Sequence, residues 1–418
     1  MATFDPVASR VAFPELEQGI LEFWREHRIF ERSVEERPAD KIFSFYEGPP
    51  TANGNPGIHH VLARAFKDVV PRYRTMRGYR VPRKGGWDTH GLPVELEVER
   101  ELGLSSKREI EEYGVEAFNQ KCRESVFRYV SDWERMTDRI GYWIDTDNAY
   151  VTYSSEYVET AWWIFKRFWD NDLMFRDFRV TPHCPRCDTS LSSHEIAQGY
   201  EENTPDPGVT LRFRLPSDAA TRWPERTSLR LGDGVPTSML AWTTTPWTLS
   251  GNTALAVLPS AEYALVEREQ DGATERVVLA SELVASVVEG DWTVLGTLPG
   301  TDLLGLEYLP LFPESVEWVE SLAFVEGRTQ RLKANEAPPV RRVIASAEVV
   351  TDEGTGILHV APAFGEADYQ MGRTEGLMFL QPVRSDGTVV GGPGDGVFAK
   401  EADKLISADL EERGLLDD

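Results

Sequence analysis

The sequence predicts an α/β protein: the first half of a Rossmann-like parallel nucleotide-binding domain carrying an inserted β-rich domain. Three observations predict it. Strand, helix, strand and long helices follow one another through the first 200 residues, the order expected of a parallel sheet. A loop rich in glycine and histidine joins the first strand to its helix. After Tyr200 the chain changes to short strands separated by turn residues.

Taken in order, residues 1–40 read as helix followed by the acidic connector "ERSVEERPAD". Lys41 to Gly48 reads as a strand, and Ile58 to Met76 as a helix with apolar Val61, Leu62, Ala65 and Val69 on one face. Pro71 is expected to kink or interrupt that helix, because it lacks an amide donor. "YRVPRKGGWDTHGLPVE" gives a second strand and loop, and Glu95 to Arg139 is again helical. A helix from Ser155 to Asn171 carries Trp162, Trp163, Phe165, Phe168 and Trp169, read first as a core face. The punctuation "NTPDPG" then introduces "VTLRFRL", "TSMLAWTTT", "TALAVL", "YALVERE" and "ERVVLA" as strands. "RRVIASAEVV" and "GILHVAPAF" follow, with "TDEGTG" expected as the turn of a hairpin between them. The expected domains are therefore 1–200, 201–390 and a return segment, 391–418, containing one helix.

Composition narrows the function classes. No apolar run approaches the roughly 18 residues of a membrane span, so no membrane partner is expected. Three cysteines and an N-terminus without a basic, then apolar, leader fit a cytoplasmic protein. The net charge of −25 argues against broad gripping of a nucleic-acid backbone and fits a solvated acidic surface, leaving nucleic-acid contacts local.

Three motifs carry chemistry. In "GPPTANGNPGIHHVLARAF", His59 and His60 stand at a helix start, where free amides and the helix dipole attract anions and disfavour imidazolium. Gly54 and Gly57 would allow close approach of a ligand to the backbone. A metal site or a satisfied helix cap are the alternatives for the pair. In "LAWTTTPWTLSGNTALAV", three threonines supply hydroxyls able to orient water or a ribose, although such a run also suits an ordinary strand. In "HCPRCDTSLSSHE", Cys184 and Cys187 have the spacing of half a zinc knuckle, which His183 or His194 could extend.

"FSFYEGPPTANGNPGIHHVLARAFKDVVPRYRTMRGYRVPRKGGWDTHGLPVELEVE" closely resembles the amino-terminal catalytic block of isoleucyl-tRNA synthetases, and the resemblance extends over essentially all 418 residues. It implies ATP-dependent activation of isoleucine, transfer to tRNA(Ile), and hydrolytic removal of valine from mischarged tRNA. Gly48, Pro49, Asn53, Gly57 and His60 would contact ATP and the adenylate, and Asp88 would hold the amino group of isoleucine. A surface acid or a helix cap is the plainer reading of Asp88. The family's editing peptide corresponds to Thr243, Thr244, Thr245 and Asn252, and "GTGILHVAPAFGEADYQ" supplies His359 and Asp368. The resemblance has Asp368 hold the ammonium of the misattached amino acid, and has His359 help exclude isoleucine by size. His359 could equally face outward from a strand. One methylene offers too little binding energy to separate isoleucine from valine in a single step, which is the physical need for such a site.

The chain departs from the pattern at Gly57-Ile58-His59-His60, where the family has His-x-Gly-His. Two helical positions rotate a side chain by about 200°, so either ATP binding is damaged or Gly57, at φ > 0, turns His59 back toward the phosphates. The intact surroundings favour the second. The resemblance implies ATP with Mg2+ as substrate and leaves Zn2+ with an incomplete site. It also implies a monomer, and an amino-terminal portion of the enzyme that lacks the lysine loop and so retains editing rather than synthesis. A free-standing deacylase and a non-catalytic tRNA- or zinc-binding module are the alternatives.

Overall fold

Three short parallel strands organise the first of two units. The structure is a computed structural model; it describes residues 10–196, 205–217, 234–270, 272–333 and 337–417, and divides at 175/176. The Tyr200 boundary and the side chain of His194 lie outside the described residues.

In the first unit, α1 (Phe13–Glu26) and α2 (Ile29–Glu35) precede β1 (Phe45–Tyr46), α3 (Ile58–Met76) and β2 (Arg83–Trp87). Next come α4 (Leu92–Leu102), α5 (Lys107–Tyr113), α6 (Val115–Val126), α7 (Val130–Arg139), β3 (Asp145–Val151) and α8 (Ser155–Asp170). The sheet order is β1-β2-β3, both pairings parallel. Strand β1 is shorter than its sequence suggests, although Ile42 still bridges Arg80. The long helical stretch is four helices, broken at Gly103 and Gly114, both at positive φ, and again over residues 127–129. Helix α3 runs through Pro71 instead of stopping there, and the Thr75 hydroxyl donates to the Pro71 carbonyl at 2.9 Å.

The aromatic helix corrects the sequence reading. None of α8 is buried, with Trp162 73% and Trp169 69% exposed. Periodicity reveals that a face is apolar; it does not reveal what covers it. The buried apolar cluster of this unit is instead Ala52, Trp87 and Trp133, at the end of the sheet where β1 and β2 finish.

In the second unit, β4 (His183–Cys184) and β5 (Thr189–Ser190) form a small hairpin. The main sheet contains β6 (Val209–Arg214), β7 (Thr237–Thr243), β8 (Ala254–Val257), β9 (Glu262–Gln270), β10 (Ala273–Ala280) and β11 (Trp292–Pro299). Two strands from a separate three-stranded sheet follow, β12 (Leu322–Val325) and β13 (Arg328–Arg331), and then β14 (Arg342–Ala345) and β15 (Ile357–Val360) return to the main one. Strands β14 and β15 do not pair as a hairpin: β8 lies between them, parallel to β14 and antiparallel to β15. The "TDEGTG" turn, with Gly354 and Gly356 at positive φ, therefore crosses the end of β8. Leu211, Met239, Leu255, Leu265 and Leu298 fill the core, joined by Ala402, Ile406 and Leu410 of the helix Ala399–Glu412. Strand β16 (Met378–Phe379) completes the three-stranded sheet beside β12, and β17 (Leu416–Asp417) pairs with β6. Residues 176–196 and 391–417 thus belong to the second unit.

Candidate functional site

Strands β1 and β2 end side by side, and the loops leaving them are stitched together. The Asp88 amide donates to the Pro50 carbonyl at 3.0 Å, and Thr51 bridges Asp88. This is the carboxyl end of a parallel sheet, where open α/β folds bind ligands. The Asp88 carboxylate accepts weakly from the hydroxyls of Thr51 and Thr152, each at 3.4 Å, and remains partly exposed. Its oxygens thus keep capacity for a cation. Beneath Gly48, buried Glu47 pairs with Lys67 and accepts from the Tyr142 hydroxyl at 2.5 Å. Lys67 also reaches the Gly48 carbonyl at 3.4 Å. The Asn53 side chain donates to the Pro93 carbonyl at 3.1 Å, so this predicted contact fastens the loop to the start of α4.

The histidine pair is resolved by its partners. Gly57 caps α3; its N–H donates to His60 Nδ1 at 2.9 Å, while His60 N–H returns to the Gly57 carbonyl at 3.0 Å. Burial, then His59 and Arg64, lower the His60 pKa, leaving a neutral ring whose proton is on Nε2. The His60 ring lies 4.5 Å from Trp133, whose indole N–H holds the Gly54 carbonyl at 2.8 Å. Gly57 does not use positive φ, contrary to expectation; it is extended, at φ −106° and ψ 173°. What it contributes is the missing side chain. A Cβ there would stand 2.8 Å from His59 Cε1, because the His59 ring folds back over position 57.

In the second unit, the end of β7 and the turn Pro246–Gly251 carry the threonines. Thr243 and Thr245 hydroxyls are 3.2 Å apart, and the Thr245 N–H donates to Thr243 Oγ1 at 3.2 Å. Thr244 makes no side-chain hydrogen bond among the described residues, so its hydroxyl is the one left open. His359, on β15, is buried with Asn252 Nδ2 2.8 Å from Nδ1 and Thr248 Oγ1 3.0 Å from Nε2. It faces inward, and burial takes its pKa down to about 4. Asn252 also accepts from the Tyr308 hydroxyl at 2.6 Å. Asp368, in the first turn of the helix Glu366–Glu375, accepts from the Ala361 N–H at 2.8 Å. Burial raises its carboxyl pKa. Strand β15 thus links the two predicted residues: His359 is on it, and Asp368 holds the amide just after it.

A family model described as tRNA synthetases class I (I, L, M and V) matches residues 19–358. The chain belongs to the class I tRNA synthetases. Among curated relatives, this synthetase chain is 49% identical to the isoleucine--tRNA ligase of Dehalococcoides mccartyi (strain CBDB1) over 99% of its own length and 40% of the relative. It is 45% identical to that of Thermus thermophilus (97% and 35% covered) and 44% identical to that of Thermobifida fusca (99% and 36%). The synthetase chain therefore spans about two fifths of the relatives it matches. Among solved structures, the P. knowlesi cytosolic leucyl-tRNA synthetase editing domain aligns with a TM-score of 0.37 and 11% identity, covering 53% of this chain and 100% of that one.

Among the described residues, the cysteine pair gathers no third metal-ligating side chain. Cys184 ends β4 and Cys187 lies within the β4–β5 turn, but His183 Nε2 donates to the Ser385 carbonyl at 2.7 Å. No group of three or more potential ligands occurs among the described residues, and a structural zinc needs four. Sequence reasoning missed Glu47, Lys67, Thr152, Thr248 and Tyr308, each of which has a partner far along the chain. Only Thr248, five residues from the end of β7, carried a local signal.

Proposed function

We propose that this chain forms the isoleucine- and ATP-binding edge and the hydrolytic editing site of an isoleucine–tRNA ligase. At the first site, Asp88 pairs with the substrate ammonium, with Gly48 and Pro49 beside the amino acid and adenylate. Neutral His60 and the adjacent His59 donate to the phosphates of ATP, carried with Mg2+ as substrate. The isoleucine carboxylate attacks the α-phosphate and pyrophosphate leaves, a reaction driven by positioning and charge stabilisation without a protein nucleophile. At the second site, Asp368 holds the ammonium of valine on tRNA(Ile), and Thr244 offers its open hydroxyl to the terminal ribose or the attacking water. We place the enzyme in the cytoplasm as a monomer.

The observation that carries this reading is the gathering of Thr243, Thr244, Thr245, Asn252, His359 and Asp368 around β7 and β15, in a chain 49% identical to an isoleucine--tRNA ligase over 99% of its length. The test is hydrolysis of Val-tRNA(Ile) by the 418-residue chain. Hydrolysis abolished by Asp368→Ala supports the reading; undiminished hydrolysis in the variant refutes it.

A further inference from the structure

The hydrogen bonds around His359 have only one consistent direction. Asn252 Nδ2 lies 3.0 Å from the Ala254 carbonyl, which can only accept. The amide nitrogen is therefore on that side, and the Tyr308 hydroxyl donates to Oδ1 at 2.6 Å on the other. The same Nδ2 stands 2.8 Å from His359 Nδ1, so Nδ1 accepts. At the far side of the ring, Thr248 Oγ1 donates its proton to the Thr245 carbonyl at 2.8 Å. It therefore receives His359 Nε2–H, 3.0 Å away, through a lone pair. Two carbonyls, one at each end, dictate every intervening proton.

We propose that Asn252, Thr248 and Tyr308 are positioning residues that lock His359 as the neutral Nε2–H tautomer, with both ring nitrogens engaged inside the fold. This rests on the editing reading for its function, though not for its geometry. His359 then neither accepts a proton from water nor donates one to a leaving ribose, because neither nitrogen has a free lone pair or hydrogen. The ring is a rigid wall, and the Thr248 hydroxyl that holds it also holds the carbonyl of Thr245, in the threonine run. Arg341 buttresses the other end, donating from Nε to the Asn252 carbonyl at 3.0 Å and from Nη2 to Ser315 Oγ at 3.0 Å. Among the described residues, the only titratable or charged side chains in the network besides His359 are Tyr308 and Arg341, and neither is hydrogen-bonded to the imidazole. Burial alone lowers the imidazole's pKa, consistent with a ring that stays neutral.

The lock is read directly by nitrogen NMR of the whole chain with 15N-labelled histidine. Seven histidines give a spectrum small enough to assign His359 by loss of its resonances in His359→Gln. A bare Nδ1 and a protonated Nε2, unchanged between about pH 5 and 8, support the proposal. A proton on Nδ1, or titration in the ordinary histidine range, overturns it. Thr248→Val should shift the Nε2–H resonance and lower hydrolysis of Val-tRNA by about fivefold or more, the effect of a buried donor left unpaired, while Thr248→Ser restores both. An unmoved resonance in Thr248→Val overturns the proposal. Tyr308→Phe, which removes only a hydroxyl, should leave the tautomer in place while weakening hydrolysis; a change of tautomer there would show that the carbonyls do not set it. If the lock is seen but no aminoacyl-tRNA is hydrolysed, the editing reading fails and the lock stands. If hydrolysis occurs over a titrating His359, the reverse holds.

Discussion

The His59 ring occupies the space that a side chain at residue 57 would need, within 2.8 Å of its Cβ position. A residue two places along the helix has thus been folded back across the cap. Gly57→Ala should push the exposed His59 ring aside at little cost, within about 0.5 kcal/mol in a denaturation experiment. The same substitution should weaken ATP binding by the chain, measured by calorimetry. Unchanged ATP affinity would show that the folded-back ring does not serve the nucleotide.

His60 is expected to matter for stability as well as chemistry. Its Nδ1 accepts the Gly57 N–H, so His60→Ala removes a cap partner and should cost about 1 kcal/mol. Equilibrium urea unfolding of the two proteins reads this difference.

The threonines should separate by role. Thr244→Val removes a hydroxyl with no hydrogen-bond partner among the described residues, so melting should stay unchanged while Val-tRNA hydrolysis falls. Thr243→Val breaks the bonds to Thr245 and should lower both. Parallel melting curves and single-turnover hydrolysis distinguish the two.

Asp368 carries a carboxyl whose pKa burial raises above its ordinary 3.8. Its charge opposes folding at neutral pH, so Asp368→Asn should match or exceed the parent in stability while losing hydrolysis. In the parent, hydrolysis should fail on the acid side as the carboxylate protonates, with a midpoint above the ordinary aspartate value.

For His359 the sign runs the other way. Its folded pKa, about 4, lies below the ordinary 6.5, so the unfolded chain binds the extra proton first. Stability is full above 6.5 and falls as the pH drops toward 4, by about 3 kcal/mol at the limit. His359→Gln should show a shallower decline in acid when the two denaturation series are subtracted.

Much of the fold was legible because its signals are local. Helix Ile58–Met76 and the strands of the second unit follow from apolar spacing and turn residues. The helix of five aromatics misled because apolar spacing does not reveal a covering layer, and its five aromatics are exposed here. The expected β14–β15 hairpin failed because a short turn between two strands looks the same whether they pair or straddle a third. At the proposed sites, Asp88 and His60 were legible as candidates from motifs. Glu47 with Lys67, and Tyr308 with Asn252, could not, since each pair joins residues far apart in sequence through burial that no local pattern records.

The placing of β8 between β14 and β15 has a consequence for the ribosome. The threonines are made early, but Thr248 waits 111 positions for His359. At roughly 5–20 residues per second the strand that will flank them is absent for several seconds. During synthesis β8 therefore exposes two unsatisfied edges, and the proposed hydrolytic site closes only when most of the second unit has emerged.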